Sequence, residues 1–337
     1  MAPIRLRHSR YRRFGDNDPD VVEYELDPYG NYRERKGHRY RSSNSWQDLL
    51  YDRRLWYLAA GLGLFYVANL HKAPYTGRLQ FCWVPYWMEQ KMGDMSYRQV
   101  MAQFGGDIVD HNNRVYQPIR SVMDRLLKAA DQLIKDPKQR EHLKKLDWQI
   151  SVVAGDYPPN AFILPNGKIF IFASIIPICQ NEDGLATVLS HELSHQLAHH
   201  SSEQLSKSPL YMLAGAIMFS ITGSTGLNDL LIQTLFQLPG SRKQESEADH
   251  IGCELMAKAC FNVDAAVSFW GRMEDMEQQM GGASGGRMTE FFSTHPASEH
   301  RIEAIKSWLP QLHQVQEESG CHTKQFGNFA NAYNSFF

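Results

Sequence analysis

Hydrophobic residues form one uninterrupted run near the start of the chain, Leu55–Leu70, which contains sixteen residues and no charge. A helix of this length spans about 24 Å, less than the roughly 30 Å hydrocarbon core of a bilayer, but flanking basic residues can extend its reach. Because the run is apolar on every face, we predict a transmembrane helix over 53–72, with a buried core helix as the alternative. The arginine-rich side before it should face the cytosol-like compartment.

The residues before this run show neither a helical nor a strand period. Residues 1–14 contain five arginines and no acidic residue, which is typical of a weak mitochondrial presequence and equally of a solvated basic tail. Residues 15–47 are polar and rich in Asp, Tyr, Arg and Ser. We therefore expect 1–52 to form a basic, largely disordered arm.

Apolar residues at helical spacing fill much of the region 96–146. Within Val115–Leu133 they recur at three- and four-residue steps, which predicts an amphipathic helix. The period then changes, because Ile150 and Val152 alternate as in a short strand and 168–176 is β-branched and aromatic.

A turn and a helix cap link these strands to the next element. Asn166-Gly167 precedes the second strand, and this dipeptide is typical of a hairpin turn. The chain then enters an apolar helix, for which we expect Asp183 to be the N-cap. The pattern predicts an α+β fold that is mostly helical, with a small β-sheet before this helix and one N-terminal transmembrane helix.

The predicted helix carries 191-HELSH-195, two histidines one turn apart with a glutamate beside them. Side chains at i and i+4 share a helix face, so both imidazoles can bind one metal ion and Glu192 can hold a water on it. The five-residue pattern also arises by chance, and the alternative is a buried helix with satisfied polar side chains. Leucines on both sides indicate burial, where histidine and glutamate need partners.

A third ligand has to come from elsewhere. The pattern HExxHxxGxxH is absent, because Ser201 stands where its third histidine would be. A carboxylate from a second helix is the other solution, and 242–259 offers Glu245 and Asp249 on one face. The alternative is a charged exposed face, which we expect for Glu247 because it points about 200° away from Glu245.

Charge and cysteine content narrow the function classes. The net charge of -2 implies no general affinity for polyanions, so no nucleic-acid partner is predicted. The five cysteines form no CxxC pair, which argues against a cysteine zinc site and a dense disulfide scaffold. With 43% hydrophobic residues, the chain can bury a sizeable core.

Three motifs in sequence order carry a family resemblance: HELSH, then ESEAD about fifty residues later, then 294-THPASEHRI-302. Further matching pieces are 74-PYTGR-78, 160-NAFILPNGKIFIF-172 and 256-MAKAC-260. Over about 73–312, the chain resembles the gluzincin family of CAAX-prenyl proteases and bacterial HtpX proteases. Within it, the chain most resembles the Oma-type mitochondrial inner-membrane endopeptidases.

The resemblance implies a zincin-like metallopeptidase domain over 73–320, with one Zn²⁺ per chain. It implies that His191, His195 and Glu245 bind the zinc and that Glu192 is the base and proton shuttle. His295 would be a transition-state donor. Three further residues would support the site: Asp249 beside a ligand histidine, Arg301 as a clamp between motif helices, and His200 as a structural residue on the catalytic helix.

An edge strand is expected at Asn160–Leu164, between two prolines and the Asn-Gly turn. A protease that acts on many sequences can bind each of them when the substrate adds to a sheet edge, because main-chain hydrogen bonds do not depend on the sequence. We predict that the substrate pairs antiparallel there. The substrate-binding residues would be Asn160, Ala161 and Phe162, with Asn160 contacting the substrate backbone.

A second apolar stretch covers 209–238. A single membrane crossing there would separate Glu245 from His191 and His195, so the zinc site could not assemble. We expect one or two helices lying in the membrane interface, with a buried helical pair as the alternative.

Cys260 and Cys321 flank the THP motif. In a compartment that permits disulfides they can tie the C-terminal tail, 321–337, to the Glu245 helix. Two separate buried thiols are the alternative.

With the resemblance, the predicted function is a membrane-anchored zinc metalloendopeptidase that hydrolyses inner-membrane proteins in mitochondrial quality control, including stress-induced processing of the dynamin-like fusion GTPase. It would be a single-pass protein of the mitochondrial inner membrane with its catalytic domain in the intermembrane space. Its expected partners are integral membrane protein substrates and the lipid bilayer; homo-oligomerisation stays open. The alternatives are a bacterial-type HtpX-like quality-control protease and a zinc-binding pseudoenzyme or scaffold, against which the intact Glu192 argues.

Overall fold

The computed structural model describes residues 24–26, 30, 32–34, 52–73, 75–209, 242–281, 295 and 300–321. The presequence predicted at 1–14 lies outside these residues, as do nearly all of the segments 209–238 and 321–337. Contacts divide the chain into two compact units, Met1–Gly63 and Leu64–Phe337.

A short β-hairpin lies in the first unit. Strands β1, Tyr24–Leu26, and β2, Tyr32–Glu34, pair antiparallel with Leu26 opposite Tyr32. Gly30 between them has a φ of +83°, a left-handed conformation that glycine adopts without strain. The expectation of a largely disordered arm did not include this hairpin, in which a tyrosine in each strand favours extended backbone and the glycine permits the turn.

Helix α1, Arg53–Ala68, coincides with the apolar run and has 16 residues. All of its residues are exposed, with Trp56 at 63% and Leu64 at 72%, so the alternative of a buried core helix was wrong. Across the residues that the structure describes, no helix combines the length and the apolar character needed to cross a membrane.

A second hairpin follows α1 directly. Strands β3, Leu70–Lys72, and β4, Leu79–Phe81, pair antiparallel. Phe81 stacks on Tyr66, with ring centroids 5.0 Å apart. The hairpin therefore packs on the C-terminal end of α1.

Three helices come next: α2, Tyr86–Phe104; α3, Tyr116–Leu133; and α4, Pro137–Lys145. Helix α3 is the one predicted from apolar spacing, and that prediction is confirmed. The predicted face is buried at Ile119, Val122, Leu126, Ala130 and Leu133.

The next three strands form one sheet, in which the third strand lies between the first two. Strand β5, Gln149–Val153, runs parallel to β7, Lys168–Phe172, while β6, Ala161–Ile163, is antiparallel to β7. The predicted hairpin turn is confirmed, since Gly167 has a φ of +86° between β6 and β7.

The strand predicted at 168–176 ends early, at Phe172. Ala173–Ile175 is a 3₁₀ turn, and Ile176–Cys179 is a short helix, α5, with a proline in its first turn. Proline has no backbone N–H to donate to a sheet and suits the first turn of a helix, which fits its position at the start of α5.

Helix α6, Glu182–Leu197, lies at the centre of the fold. Thirteen of its sixteen residues are buried, and it packs against α3, α5 and β6 as well as two later helices. Its N-cap is Asn181, whose side chain accepts a hydrogen bond from Gly184 N. The prediction of Asp183 as N-cap was wrong: Asp183 lies in the first turn and accepts from Asn262 N instead.

The remaining helices are α7 at residues 200–209; α8, Arg242–Lys258; α9, Asp264–Gly281; and α10, Arg301–Glu318. Helix α8 packs along α6 on one side and α10 on the other, and α9 also contacts α6. Ile251, Leu255 and Met256 form an apolar stripe on α8 and are fully buried.

A disulfide joins Cys260, just after α8, to Cys321, just after α10. The two cysteines are 61 positions apart in sequence. In the chain-entropy description, closing such a loop in the unfolded state stabilises the fold by about 4 kcal/mol.

We expect reduction of this disulfide to lower the thermal midpoint of the peptidase domain. The expected loss in free energy of unfolding is at most about 4 kcal/mol, because only unfolded-state entropy is regained. Peptide mapping without reductant should recover the linked pair. Cys82, Cys179 and Cys253 have free thiols, so their alkylation in the same experiment is the control. Alkylation of both Cys260 and Cys321 in that experiment would contradict the pairing.

Candidate active site

Helices α6 and α8 bring the predicted metal ligands together. Gly252 lets the two backbones approach: a Cβ atom at this position would lie 3.2 Å from His191 N and from Ser190. A side chain at this position would push α8 away from α6, because interiors are close-packed. The helix spacing on which the site depends therefore depends on this glycine.

Four side chains converge between the helices. His191 Nε2 lies 3.1 Å from His195 Nε2 and 3.3 Å from Glu245 Oε2, and His195 Nε2 lies 3.5 Å from Glu245 Oε1. His295 Nδ1 lies 3.2 Å from His191 Nε2 and 3.0 Å from Glu245 Oε2. The potential ligand atoms of these residues all lie within 4.8 Å of one another.

These spacings fit a zinc ion. In a tetrahedral site with bonds of about 2.1 Å, neighbouring ligand atoms stand about 3.4 Å apart. Two imidazole nitrogens 3.1 Å apart repel through their lone pairs unless a proton or a cation lies between them. Glu245 Oε1 is buried and makes no hydrogen bond among the described residues, so it can serve as a ligand. His191, His195 and Glu245 fit the metal as a set of three ligands, and they also fit it as a set of four with His295.

Glu192 and His295 lie next to the ligand atoms. Glu192 Oε1 is 3.2 Å from His295 Nε2, and both residues are buried. Burial raises the pKa of the Glu192 carboxyl above its ordinary value, although the positive charges of His295 and His191 oppose the rise. A carboxylate with a raised pKa accepts a proton more readily, as a general base must.

Asp249 and Arg301 hold His191 and Glu245 in place. His191 Nδ1 lies 2.9 Å from Asp249 Oδ1. Arg301 donates from Nε to Asp249 Oδ2 at 2.6 Å and from Nη2 to Glu245 Oε2 at 2.9 Å. The contact with Asp249 keeps the hydrogen on Nδ1 of His191 and turns Nε2 towards the other ligand atoms.

The electrostatics of the cluster favour a positive charge at its centre. Burial lowers the pKa of His195 well below its ordinary value, so this ring is neutral and able to bind a metal. Burial acts the same way on His191, but hydrogen bonds with Asp249 and Glu245 outweigh it and raise the pKa to about 9. Burial raises the pKa of Glu245, yet its contacts with His191 and His295 outweigh this and hold the pKa far below its ordinary value. The Glu245 carboxylate is therefore ionised.

The sequence model of peptidase family M48 matches residues 121–309, a span that contains both helices of the site. The chain belongs to peptidase family M48. It is 38% identical over 93% of its length to the mitochondrial metalloendopeptidase OMA1 of Saccharomyces cerevisiae, covering 90% of that protein. It is 35% identical over 90% of its length to the protein of the same name in Schizosaccharomyces pombe, again covering 90%. A putative beta-barrel assembly-enhancing protease of Vibrio cholerae is 27% identical over 53% of the chain and 40% of that protein.

As a member of family M48, the chain is a metallopeptidase, and the α6–α8 cluster is its candidate metal centre.

On the other side of His195 lies His200. Helix α6 ends at Leu197, and His199 has a φ of +58°, so the chain turns before α7 begins. The expectation that His200 lies on the catalytic helix was wrong for this reason. Its Nδ1 atom still comes within 2.8 Å of His195 Nδ1.

Glu247 is buried, with 5% exposure, so the prediction of an exposed side chain was wrong. It does point away from Glu245, but a second polar cluster of this M48 peptidase covers that side of α8. Its carboxylate lies near His200 Nε2 and accepts hydrogen bonds from Thr76 and Arg78. Burial raises the pKa of Glu247, and these contacts outweigh burial and lower it.

The strand predicted to bind substrate is β6, which lies at the edge of its sheet and packs against α6. It pairs on one side with β7, and no strand covers its other side among the described residues. Asn160 and Ala161 are buried, while Phe162 is half-buried and stacks on Phe170 at 5.3 Å. Asn160 O accepts a hydrogen bond from Phe172 N, so Asn160 lies at the end of the ladder.

Sequence reasoning missed several residues of the site. The ring of Trp270 lies 5.4 Å from that of His191 and 3.8 Å from the Arg301 guanidinium. No local pattern marks Trp270 or Gly252, because their neighbours come from other helices. Arg78 lay inside the PYTGR motif, which was a signal without an assigned role.

Proposed function

We propose that this M48 peptidase is a zinc endopeptidase anchored in the mitochondrial inner membrane, with its peptidase domain in the intermembrane space. One observation carries the zinc assignment: His191 Nε2, His195 Nε2 and the Glu245 carboxylate meet at 3.1–3.5 Å beside the buried Glu192. Two relatives named as mitochondrial metalloendopeptidases match over about nine-tenths of the chain, which supports the compartment.

The chemistry divides among five side chains and the metal. When bound, zinc polarises the peptide carbonyl and lowers the pKa of a water towards neutrality. His191, His195 and Glu245 would hold the ion. Glu192 takes the proton from the attacking water and delivers it to the leaving amine. His295, 3.2 Å from Glu192, donates a hydrogen bond to the developing oxyanion.

The anchor that we propose is α1 together with its flanking residues, 53–72, as a single pass. Support comes from its exposed apolar and aromatic side chains, among them Tyr57, Leu62 and Val67, which are at least 60% exposed. A contiguous apolar surface of this kind is typical of a membrane or protein contact. Two arginines at its N-terminal end suit the cytosol-like side of the membrane.

The substrates that we propose are integral proteins of the same membrane, cleaved in quality control and under stress, among them the dynamin-like fusion GTPase. A bacterial-type quality-control protease is the second candidate, but the bacterial relative matches 53% of the chain against 93% and 90% for the yeast relatives. A zinc scaffold without activity has no need for the buried Glu192, since a structural site is closed by its ligands.

We expect a chelator to abolish casein cleavage by the full-length chain in detergent, and stoichiometric zinc to restore it. Magnesium should not restore it, because imidazole ligands favour zinc whereas magnesium prefers oxygen ligands. Cleavage that persists after complete metal removal would overturn the zinc assignment.

We expect Asn160→Ala to lower kcat/KM for a soluble peptide by about 2- to 10-fold, the value of one hydrogen bond, without releasing zinc. The reason is that Asn160 directly precedes β6, the edge strand on which we propose that the substrate strand pairs. Asn262→Ala is the matched control, because this residue lies in the turn before α9 and should leave kinetics unchanged. Kinetics of Asn160→Ala equal to wild type would refute the substrate strand.

A further inference from the structure

A continuous chain of polar contacts leads from His195 to the hairpin that follows α1. His195 Nδ1 is 2.8 Å from His200 Nδ1, and His200 Nε2 is 3.2 Å from Glu247 Oε2. The same Glu247 oxygen accepts a hydrogen bond from Arg78 Nε at 2.7 Å. Arg78 directly precedes β4, so this series of polar contacts ends in the β3–β4 hairpin, more than a hundred residues from His195 in sequence.

The hydrogen atoms along this series of polar contacts can be placed in one consistent way. A neutral His195 that binds a metal through Nε2 carries its hydrogen on Nδ1 and donates it to His200 Nδ1. His200 must then carry its hydrogen on Nε2, which donates to Glu247. An ionised Glu247 can only accept, so it fixes the tautomer of His200 and, through it, that of His195.

Arg78 holds the Glu247 carboxylate in place and joins two helices in doing so. Its Nη1 and Nη2 atoms donate to Glu203 Oε1 and Oε2 at 3.0 and 2.7 Å, while Nε donates to Glu247. Glu203 lies on α7 and Glu247 on α8, and both are buried, at 3% and 5% exposure. Only the planar fork of arginine serves both carboxylates at once, because lysine offers a single ammonium group.

The C-terminal end of the hairpin that carries Arg78 is itself fixed on two sides. Phe81 packs on Phe65 and Tyr66 of α1, with ring centroids 6.0 and 5.0 Å apart. On the other side, Trp83 donates from its backbone N to Ser206 Oγ of α7 at 3.0 Å. The hairpin therefore connects the end of the proposed anchor to the helices behind the metal ligands.

We propose that Arg78 is a positioning residue for the metal centre, and that it holds the His195 imidazole in its ligand orientation through Glu247 and His200. The inference rests on the proposed zinc site. It makes the hairpin after α1 part of the site, so that a displacement of the hairpin loosens the grip on zinc.

The test measures the rate at which the zinc-loaded, full-length chain in detergent loses zinc to excess chelator. Glu247→Gln keeps the shape of the side chain but removes its charge, and Arg78→Lys keeps the charge but removes the fork. We expect each to accelerate zinc loss by about 10- to 100-fold, the usual cost of losing a group that orients a metal ligand. Because both act along one path, the double variant should lose zinc no faster than the more severe single variant.

Arg272→Gln is the control, because Arg272 donates to the carbonyls of Ile178 and Cys179, away from the metal ligands. It should leave the zinc-loss rate unchanged even if it lowers the thermal midpoint. A purely structural role for Arg78 would lower the thermal midpoint of the metal-free chain and leave zinc loss at the wild-type rate, which would overturn the inference. Multiplicative effects in the double variant would also overturn it. A wild-type chain that binds no zinc would instead refute the proposed function.

Discussion

Replacing Glu192 by Gln should lower kcat for peptide hydrolysis by about 10²- to 10⁴-fold and leave bound zinc stoichiometric. Glutamine has nearly the same shape as glutamate but cannot take up the proton of the attacking water. Glu192 is not one of the three proposed ligands, and its carboxylate contacts His295 instead. Loss of activity with retention of metal therefore separates a proton-transfer role from a ligand role.

The experiment compares kcat on a soluble peptide with the zinc content of the same sample. Glu182→Gln is the matched control, because Glu182 lies in the first turn of the same helix and pairs only weakly with Arg125, 3.9 Å away. It should keep both zinc and activity. Wild-type kcat in Glu192→Gln would remove Glu192 from the mechanism, and loss of zinc would make it a ligand or a structural residue.

The second large effect should follow from Glu245→Ala, which removes both bound metal and activity. The two histidines on α6 would remain, but two imidazoles alone do not form a tight site. The variant also leaves Arg301 without one of its two buried acceptors. We expect zinc affinity to fall well beyond the about 10- to 100-fold that loss of an outer partner costs. His191→Ala and His195→Ala should behave alike.

Equilibrium dialysis with zinc measures this affinity. Glu254→Ala provides a control on α8, because Glu254 lies more than two turns beyond Glu245 and away from the ligand atoms. Stoichiometric zinc in Glu245→Ala would show that another residue supplies the third ligand, and His295, whose Nδ1 lies 3.2 Å from His191 Nε2, would then be the next to test.

Much of the site could be predicted because its spacing is local. His191 and His195 share a helix face by their four-residue separation, and Glu245 and Asp249 do so on α8, so two helix patterns sufficed to name them. Burial of α6 on all sides was also visible, from leucines on both sides of the motif.

What the sequence could not predict depends on contacts between distant segments. Glu247 was assigned to solvent because helical geometry places it off the Glu245 face, but Thr76 and Arg78 arrive there from the β3–β4 hairpin. The N-cap of α6 was assigned to the wrong residue because two polar residues that can cap a helix lie close together. Asn181, two residues before Asp183, has the extended backbone that an N-cap needs.

The central claim is that one zinc ion lies between His191, His195 and Glu245. Anomalous scattering at the zinc edge, from crystals of the full-length chain, tests it most directly. We expect one peak at bonding distance, about 2.0–2.2 Å, from His191 Nε2, His195 Nε2 and a Glu245 oxygen. A zinc-loaded crystal without a peak between these three atoms, or with its zinc on other residues, would contradict it.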